Sequence, residues 1–454
     1  MEFVNYKKVD PRTSTFTLSP INVAYANTLR RIILTGVETV AFRADMTSTG
    51  STTDVVVKRN DTPMTNEMLA DRIGLLPINV PEPLSWKEDK YKFVLKVAGS
   101  KDSVTYVKSE DFKVIEISGT TPTELGGVGA ALSSESESES KSFVEAPEER
   151  VIPTDRFFPK NPKTGDTCLI ASLQPGSGAT QQFIEIEAKA TKGTGREHAR
   201  FMPVSQCSYE YTLDNNPTRI EEMFRNWLVV AKKIGGDLDK ASERYAELLR
   251  EFNTMQIKRC YKVNDKGEPD SFDFTVESVG VLSVPYIIER ACEVGENMCS
   301  RYVNLMTGEL PPEISISSSD SRLIGYDFLI KGHDHTLGNL LQTWLVENHI
   351  EGTVEPKITY AGYAVPHPLR DEMVLRIGVE DGQELTARKA FAQAAKGCVD
   401  MFRRLRSEWR KVVGEAPLPS LSATATSTAK PKVIRKKPSI APTATATATA
   451  TATK

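Results

Sequence analysis

The chain has 454 residues, 39% of them apolar and 26% charged, with a formal net charge of −3. That balance excludes global disorder and argues against nucleic acid as the main partner, because proteins that grip a long phosphate backbone are strongly basic. The six cysteines, Cys168, Cys207, Cys260, Cys292, Cys299 and Cys398, form no C-x-x-C pair, so neither a structural zinc site nor a disulfide framework is expected. The first residues lack the basic start and apolar core of a secretory signal, and no run of about 18 apolar residues occurs, so the expectation is an intracellular protein without a membrane span. The length allows roughly two to four domains.

In chain order, a helix is predicted over 22–34. Asn22 is its N-cap and Gly36 follows its end, while Ala26, Leu29, Ile32 and Ile33 form an apolar stripe from which Arg30 and Arg31 point away. Strand-like runs follow at 53–58, 91–97, 103–107 and 113–117. A Ser/Glu-rich loop over 126–142 interrupts them and cannot bury apolar surface. Further strands are read at 168–173, 183–190 and 208–213. The stretch 234–261 adds a helix of unassigned role, with Ala241, Tyr245, Leu248, Leu249 and Phe252 near helical spacing. Phe272, Phe274 and Val276 alternate with polar residues as a half-buried strand does. The helix after Pro285 carries Ile287, Ile288, Ala291, Val294 and Met298 on one face. Pro311, Pro312 and the serines over 315–321 mark a boundary.

The pattern then restarts. A strand over 326–330 leads to a helix opening near Thr336, with Leu337, Leu340, Leu341, Trp344 and Leu345 on one face. Strands over 358–363 and 373–379 precede a last helix over 384–412. Its Phe391, Ala395, Cys398, Phe402, Leu405 and Trp409 step by four and three, a heptad-like seam for packing against another helix. Arg403, Arg404, Arg406 and Arg410 are read as its solvated face, with contact to an acidic partner as the alternative. Residues 415–454 form an Ala/Thr-rich tail expected to be disordered, and its basic cluster at 430–437 is read as merely soluble in preference to a nucleic-acid contact or a nuclear signal.

The fold class is α+β. Ala26-Asn27-Thr28-Leu29 is echoed by Gly338-Asn339-Leu340-Leu341, which points to two related units packed with pseudo-twofold symmetry. Catalytic chemistry finds little support. His333 and His335 flank Asp334, and His367 lies between prolines, the raw material of a metal-dependent phosphoesterase. A hydrolytic metal needs three or more convergent ligands, and the other histidines, His198 and His349, sit in unrelated contexts, so capping of the helix by Asp334 or Thr336 is preferred. The glycines of Lys192-Gly193-Thr194-Gly195-Arg196 lack the P-loop pattern and are read as a tight turn. No nucleophile, acid–base pair or cofactor fingerprint stands out.

Six motifs carry a family resemblance. NVAYANTLRR at 22–31 resembles the first helix of alpha-type RNA polymerase subunits. DRIGLLPI at 71–78 resembles their H-R-L-G-L-I-P-I segment, with Asp71 where His is usual. KGTGREHARFMP at 192–203 resembles K-G-x-G-K-x-H-A-K-W-x-P, and FDFTVESVG at 272–280 the strand before the final helix. These four match the larger alpha-like subunit of archaeal and eukaryotic polymerases. DHTLGNLL at 334–341 and YAGYAVPHPL at 360–369 resemble D-H-T-L-G-N and A-G-Y-x-x-P-H-P-L of the small alpha-like subunit.

The resemblance implies two alpha-type dimerisation units, 1–45 with 190–310 and 322–414, forming an intramolecular pseudo-dimer, with a β-rich domain over 46–189 inserted in the first. Helices near 23–35, 285–305, 336–348 and 384–412 are expected at the seam, and fusion makes their pairing nearly obligatory. The implied function is a non-catalytic assembly platform, without a cofactor of its own, for a DNA-directed RNA polymerase. Its implied partners are the second-largest and largest subunits, where magnesium is expected, and a small zinc-bearing subunit; DNA is met only indirectly and no homodimer is needed. Implied interface residues are Asn22, Asn27, Arg30, Arg31, Gly193, His198, Leu337, Asn339, Leu341, Trp344, Phe391 and Phe402, with Arg30 and Arg31 facing the second-largest subunit. A single-chain fusion resembles those of large DNA viruses of eukaryotes, which implies transcription in the host cytoplasm or nucleus and packaging in the virion. The family's cysteine cluster for zinc or an iron–sulfur centre is reduced here to Cys168, which puts a metal there in doubt. A free-standing regulator that competes for polymerase subunits would use the same surfaces.

Overall fold

The computed structural model describes residues 1–45, 54–118, 148–234, 239–306, 309–319 and 323–414. The Ser/Glu loop and the tail lie outside the described residues. Among the described residues there are seven α-helices: α1 Val23–Thr35, α2 Asn66–Gly74, α3 Pro217–Val230, α4 Glu243–Met255, α5 Val284–Ser300, α6 His335–Leu345 and α7 Glu384–Val413. The described residues form two compact units. One comprises Met1–Ala41, Pro77–Trp86 and 192–414; the other comprises Phe42–Leu76 and Lys87–Thr191. Pro77–Trp86, read from sequence as part of the insertion, thus groups with the larger unit.

The larger unit holds two antiparallel four-stranded sheets of identical topology. The first runs Glu2–Lys8, Thr13–Ser19, Phe272–Ser278, Val204–Tyr211. The second runs Ile314–Ser318, Gly325–Lys331, Glu372–Gly378, Tyr360–Ala364. In each, a helix follows the second strand (α1 or α6) and another follows the last (α5 or α7). The weak echo in sequence is therefore a duplication of the whole topology. Three of these strands escaped the sequence reading. Glu2–Lys8 buries only Phe3 fully and Ile314–Ser318 only Ile314, so neither edge strand carries an alternating apolar signal. Thr13–Ser19 was also missed, and the serines read as a boundary are in fact partly a strand paired to Gly325–Lys331.

One continuous apolar core joins the two halves. Along the seam, α5 and α7 run antiparallel, since Trp409 meets Pro285 while Phe402 meets Gly295. A Cβ at Gly295 would stand 2.6 Å from the Phe402 ring, so only glycine admits that ring here. The buried Trp409 indole donates to the Pro285 carbonyl at 3.0 Å, and its ring lies 5.0 to 5.4 Å from those of Phe3, Tyr6 and Phe16.

Arg404 is exposed as expected, whereas the other three arginines of this face pair across the seam. Arg403 pairs with Glu296 (2.7 Å), Arg406 with Glu293 (3.7 Å), and Arg410 Nε with Glu289 (2.8 Å). The glutamates rise in number as the arginines fall, as antiparallel helices require. Pairs this exposed each contribute only about 0–1 kcal/mol, so the ladder sets register more than it stabilises. The sequence showed the basic stripe of α7 but not the acidic stripe of α5 that would meet it.

The smaller unit is β-rich. Its five-stranded antiparallel sheet runs Val55–Asn60, Phe183–Ala188, Tyr91–Ala98, Phe112–Ser118, Glu148–Ile152. Phe42, Phe93, Phe112, Phe157 and Phe158 form its aromatic centre. In the larger unit, α3 and α4 share a small separate core of Phe224, Leu228, Leu248 and Phe252. The unassigned helix predicted over 234–261 is α4.

Candidate subunit interface

The crossing of α1 and α6 is pinned at both ends by polar side chains. Asn22 caps α1 by accepting the Ala24 N–H at 2.9 Å, which leaves its amide to donate to Glu347 at 2.8 Å. The Tyr25 hydroxyl donates to the other oxygen of Glu347 at 2.5 Å. Burial, then the Glu347 carboxylate, raise the Tyr25 phenol above its ordinary value. At the other end, Asp334 caps α6 by accepting the Thr336 N–H at 2.8 Å. Arg31 reaches both residues, donating from Nε to the Thr336 hydroxyl at 2.8 Å and pairing with Asp334 at 3.3 Å. Burial works to raise the Asp334 carboxyl, but the Thr336 N–H and hydroxyl and the charges of Arg196 and Arg31 hold it below its usual range.

Arg31 therefore does not point outward as expected; its guanidinium joins the two halves. Arg30 instead donates to Asn27 at 2.9 Å within its own helix. It lies beside Cys207, whose thiol burial pushes up to about 12 against the opposing charge of Arg30.

The glycine-rich segment is the expected tight turn at Gly195, where the Glu197 N–H donates to the Thr194 carbonyl at 3.0 Å, but not at Gly193. Gly193 sits in the strand Thr191–Thr194, and a Cβ there would stand 2.7 Å from the Phe201 ring. His198 caps the next turn through Nδ1, which accepts the Arg200 N–H at 3.1 Å. Arg196, which sequence reasoning passed over, binds across the halves. Its N–H donates to Thr35 of α1 (3.1 Å), while its guanidinium donates to the Gly332 carbonyl (3.0 Å) and pairs with Asp371.

Leu337, Leu341, Phe391 and Phe402 are fully buried in the joined core. Phe391 packs edge-on against Phe328 at 5.2 Å and lies 5.7 Å from Tyr302 of the first half. Asn339 is half-buried. Trp344, expected in the core, is also only half-buried; its indole lies on Gly397 of α7. The structure thus brings Asn22, Arg31 and Phe402 to contacts between the halves, places Asn27 and Arg30 in a local contact, and adds Tyr25, Arg196 and Glu347. Only the apolar members had a periodic signal by which to find them.

No group of three or more His, Cys, Asp or Glu side chains is placed to hold a metal ion among the described residues. His333 packs on the Tyr302 ring, His335 Nδ1 lies 3.3 Å from the Tyr363 hydroxyl, and His367 Nδ1 accepts the Leu369 N–H at 3.1 Å. These histidines do not converge, and Asp334 serves as a cap. Cys168 is exposed and belongs to no such group.

The half-buried His333 and the fully buried His349 make stability depend on pH. Burial lowers His333, helped by Arg196 and Arg301. Burial also lowers His349, whose Nδ1 donates to the Pro356 carbonyl at 2.7 Å while its buried Nε2 has no hydrogen-bond partner. The folded chain thus refuses protons that the unfolded chain accepts. This stability is complete above about pH 6.5 and is lost as pH falls below it. The melting temperature is expected to fall between about pH 7.5 and pH 5.5, and less steeply in His349→Gln, as thermal melts in matched buffers will measure.

The family model described as the RNA polymerase Rpb3/Rpb11 dimerisation domain matches residues 15–299, and a second model of the same description matches residues 326–408. The chain is 27% identical over 317 residues to the DNA-directed RNA polymerases I and III subunit RPAC1 of Saccharomyces cerevisiae, covering 65% of this chain and 84% of that protein. It is 24% identical over 301 residues to the DNA-directed RNA polymerase subunit Rpo3 of Methanopyrus kandleri, covering 64% and 91%. It is 30% identical over 89 residues to the subunit Rpo11 of Thermococcus onnurineus, covering 20% and 86%. With one family model spanning more than half of its length and a second on the far side of Pro311 and Pro312, the chain belongs to the RNA polymerase Rpb3/Rpb11 dimerisation-domain family.

Proposed function

We propose that this chain is the non-catalytic assembly platform of a multisubunit DNA-directed RNA polymerase, with the larger and small alpha-like partners fused into one polypeptide. The observation that carries the reading is the presence of two family dimerisation domains on one chain, packed through a single continuous core. The similarity to RPAC1 and Rpo3 on one side and Rpo11 on the other supports it. In this reading the paired halves bind the second-largest subunit, the largest subunit and a small zinc-bearing subunit. Nucleotide chemistry with magnesium belongs to the two large subunits, and DNA is met only through them. The fusion supports a source among large DNA viruses of eukaryotes.

The test is to tag the chain, purify it from its native context and identify what comes with it by mass spectrometry. Two very large polymerase subunits in near-equal amounts support the platform; the chain alone, or with unrelated proteins, rejects it. Since Arg31 is engaged between the halves, contact with the second-largest subunit is assigned to Arg30. Arg30→Glu is expected to shift stability by no more than about 0.5 kcal/mol and to lower recovery of that subunit about tenfold, as loss of an interface arginine does. Undiminished recovery removes Arg30 from the interface.

A further inference from the structure

The α1–α6 crossing is built from equivalent positions that carry different chemistry. One offset in sequence carries Asn22 onto Asp334, Asn27 onto Asn339 and Thr35 onto Glu347. Asn22 and Asp334 are both N-caps, so the correspondence is structural as well. Each pin joins the N-cap of one helix to the far end of the other: Asn22 to Glu347, and Asp334 to Arg31.

We infer that these pins are a pairing code, by which each half selects the unlike half and rejects a copy of itself. The apolar contacts discriminate little, because burial is non-directional and Leu29 corresponds to Leu341. The polar positions do discriminate. Two copies of α6 crossed in this way would set the Glu347 carboxylate of one against the Asp334 carboxylate of the other, with no cation between them. Two copies of α1 would set Arg31 against an Asn22 whose oxygen is already committed to the Ala24 N–H, and the guanidinium would lack a carboxylate. Only the unlike crossing matches donors to acceptors at both ends. Specificity thus comes from a repulsive element as well as an attractive one. The role of the code is to keep each half from pairing with the like half of a second copy.

The inference rests on the duplicated fold and not on the polymerase reading, so it is tested on the isolated full-length chain with no other subunit present. Asparagine and aspartate cap helices about equally well, so Asn22→Asp preserves the start of α1 while setting a carboxylate against Glu347. Glu347→Lys sets a cation against the Asn22 amide, and would make the α6–α6 crossing attractive through Asp334 of a second copy. The double variant restores an opposite-charge pair within the chain. Light scattering after size exclusion, with thermal melts, is expected to give the mass of one chain for wild type. Each single variant should melt lower and hold at least tenfold more dimer at equal concentration, and the double variant should return to the wild-type melting temperature. If Glu347→Lys does not fold, Asn22→Asp with its cap intact carries the same test. Wild type that is itself dimeric overturns the inference, as do single variants that remain monomeric or a double variant that melts no higher than the singles.

Discussion

Trp409→Ala is expected to lower the stability of the chain by about 3–5 kcal/mol, the range for truncating a fully buried tryptophan. Trp409 is the largest fully buried side chain of α7 and comes near its end. Its ring is enclosed by Phe3, Tyr6 and Phe16 of the first half, so removal opens a cavity where three other rings converge. The backbone around it is held by paired strands and a long helix and cannot collapse to fill the space. The Pro285 carbonyl also loses the indole N–H that satisfies it. Trp409→Phe separates these effects: it retains much of the packing, loses the donor, and is expected to cost about 1–3 kcal/mol. Urea unfolding followed by circular dichroism measures both. Equal midpoints for wild type and Trp409→Ala would mean that α7 does not hold the two halves together at this end.

Leu341→Asp is expected to be the more damaging change. Leu341 is fully buried on α6 within the joined core. Losing its side chain costs about 2–5 kcal/mol, and an ionised carboxylate without a partner adds several kcal/mol more. The sum approaches the whole stability of an ordinary domain, so the expected result is a chain that is insoluble or lacks a cooperative melt at neutral pH. The pH dependence identifies the cause. Burial raises the pKa of the new acid in the folded state, so the penalty is smallest below the unfolded value of about 3.9 and grows as pH rises through it. The deficit relative to wild type should therefore narrow on acidification, while Leu341→Asn shows no such narrowing. An unchanged melting temperature at neutral pH would contradict the placement of α6 in the core.

Much of the fold was legible because burial imposes a period on the residues it covers. The stripe of Leu337, Leu340, Leu341 and Leu345 marks α6, and all four are fully buried. Phe272, Phe274 and Val276 alternate as a half-buried strand must, and all three face the core. The spacing of Ile220, Phe224, Trp227 and Leu228 marks α3 just as clearly, and that helix could have been found. The edge strands could not be found in this way, because backbone pairing rather than apolar burial holds them.

The candidate interface was less legible than the fold. Its apolar members were found by period; its polar members were named by resemblance, and their partners were not visible at all. Arg31 meets Asp334, Asn22 meets Glu347, and Arg403, Arg406 and Arg410 meet glutamates on α5, in each case across more than a hundred residues of chain. Gly193 looked like a turn because the ring of Phe201 that requires it has no periodic relation to it. By itself, then, the sequence determined α1, α4, α5, α6 and α7 and the central strands Phe272–Ser278, Gly325–Lys331 and Glu372–Gly378, which faces they bury, and that the chain holds two related units. Only the tertiary structure decided which charges meet, because periodicity is a local property of the chain whereas a polar side chain takes its partner from whatever the fold brings within about 3 Å of it.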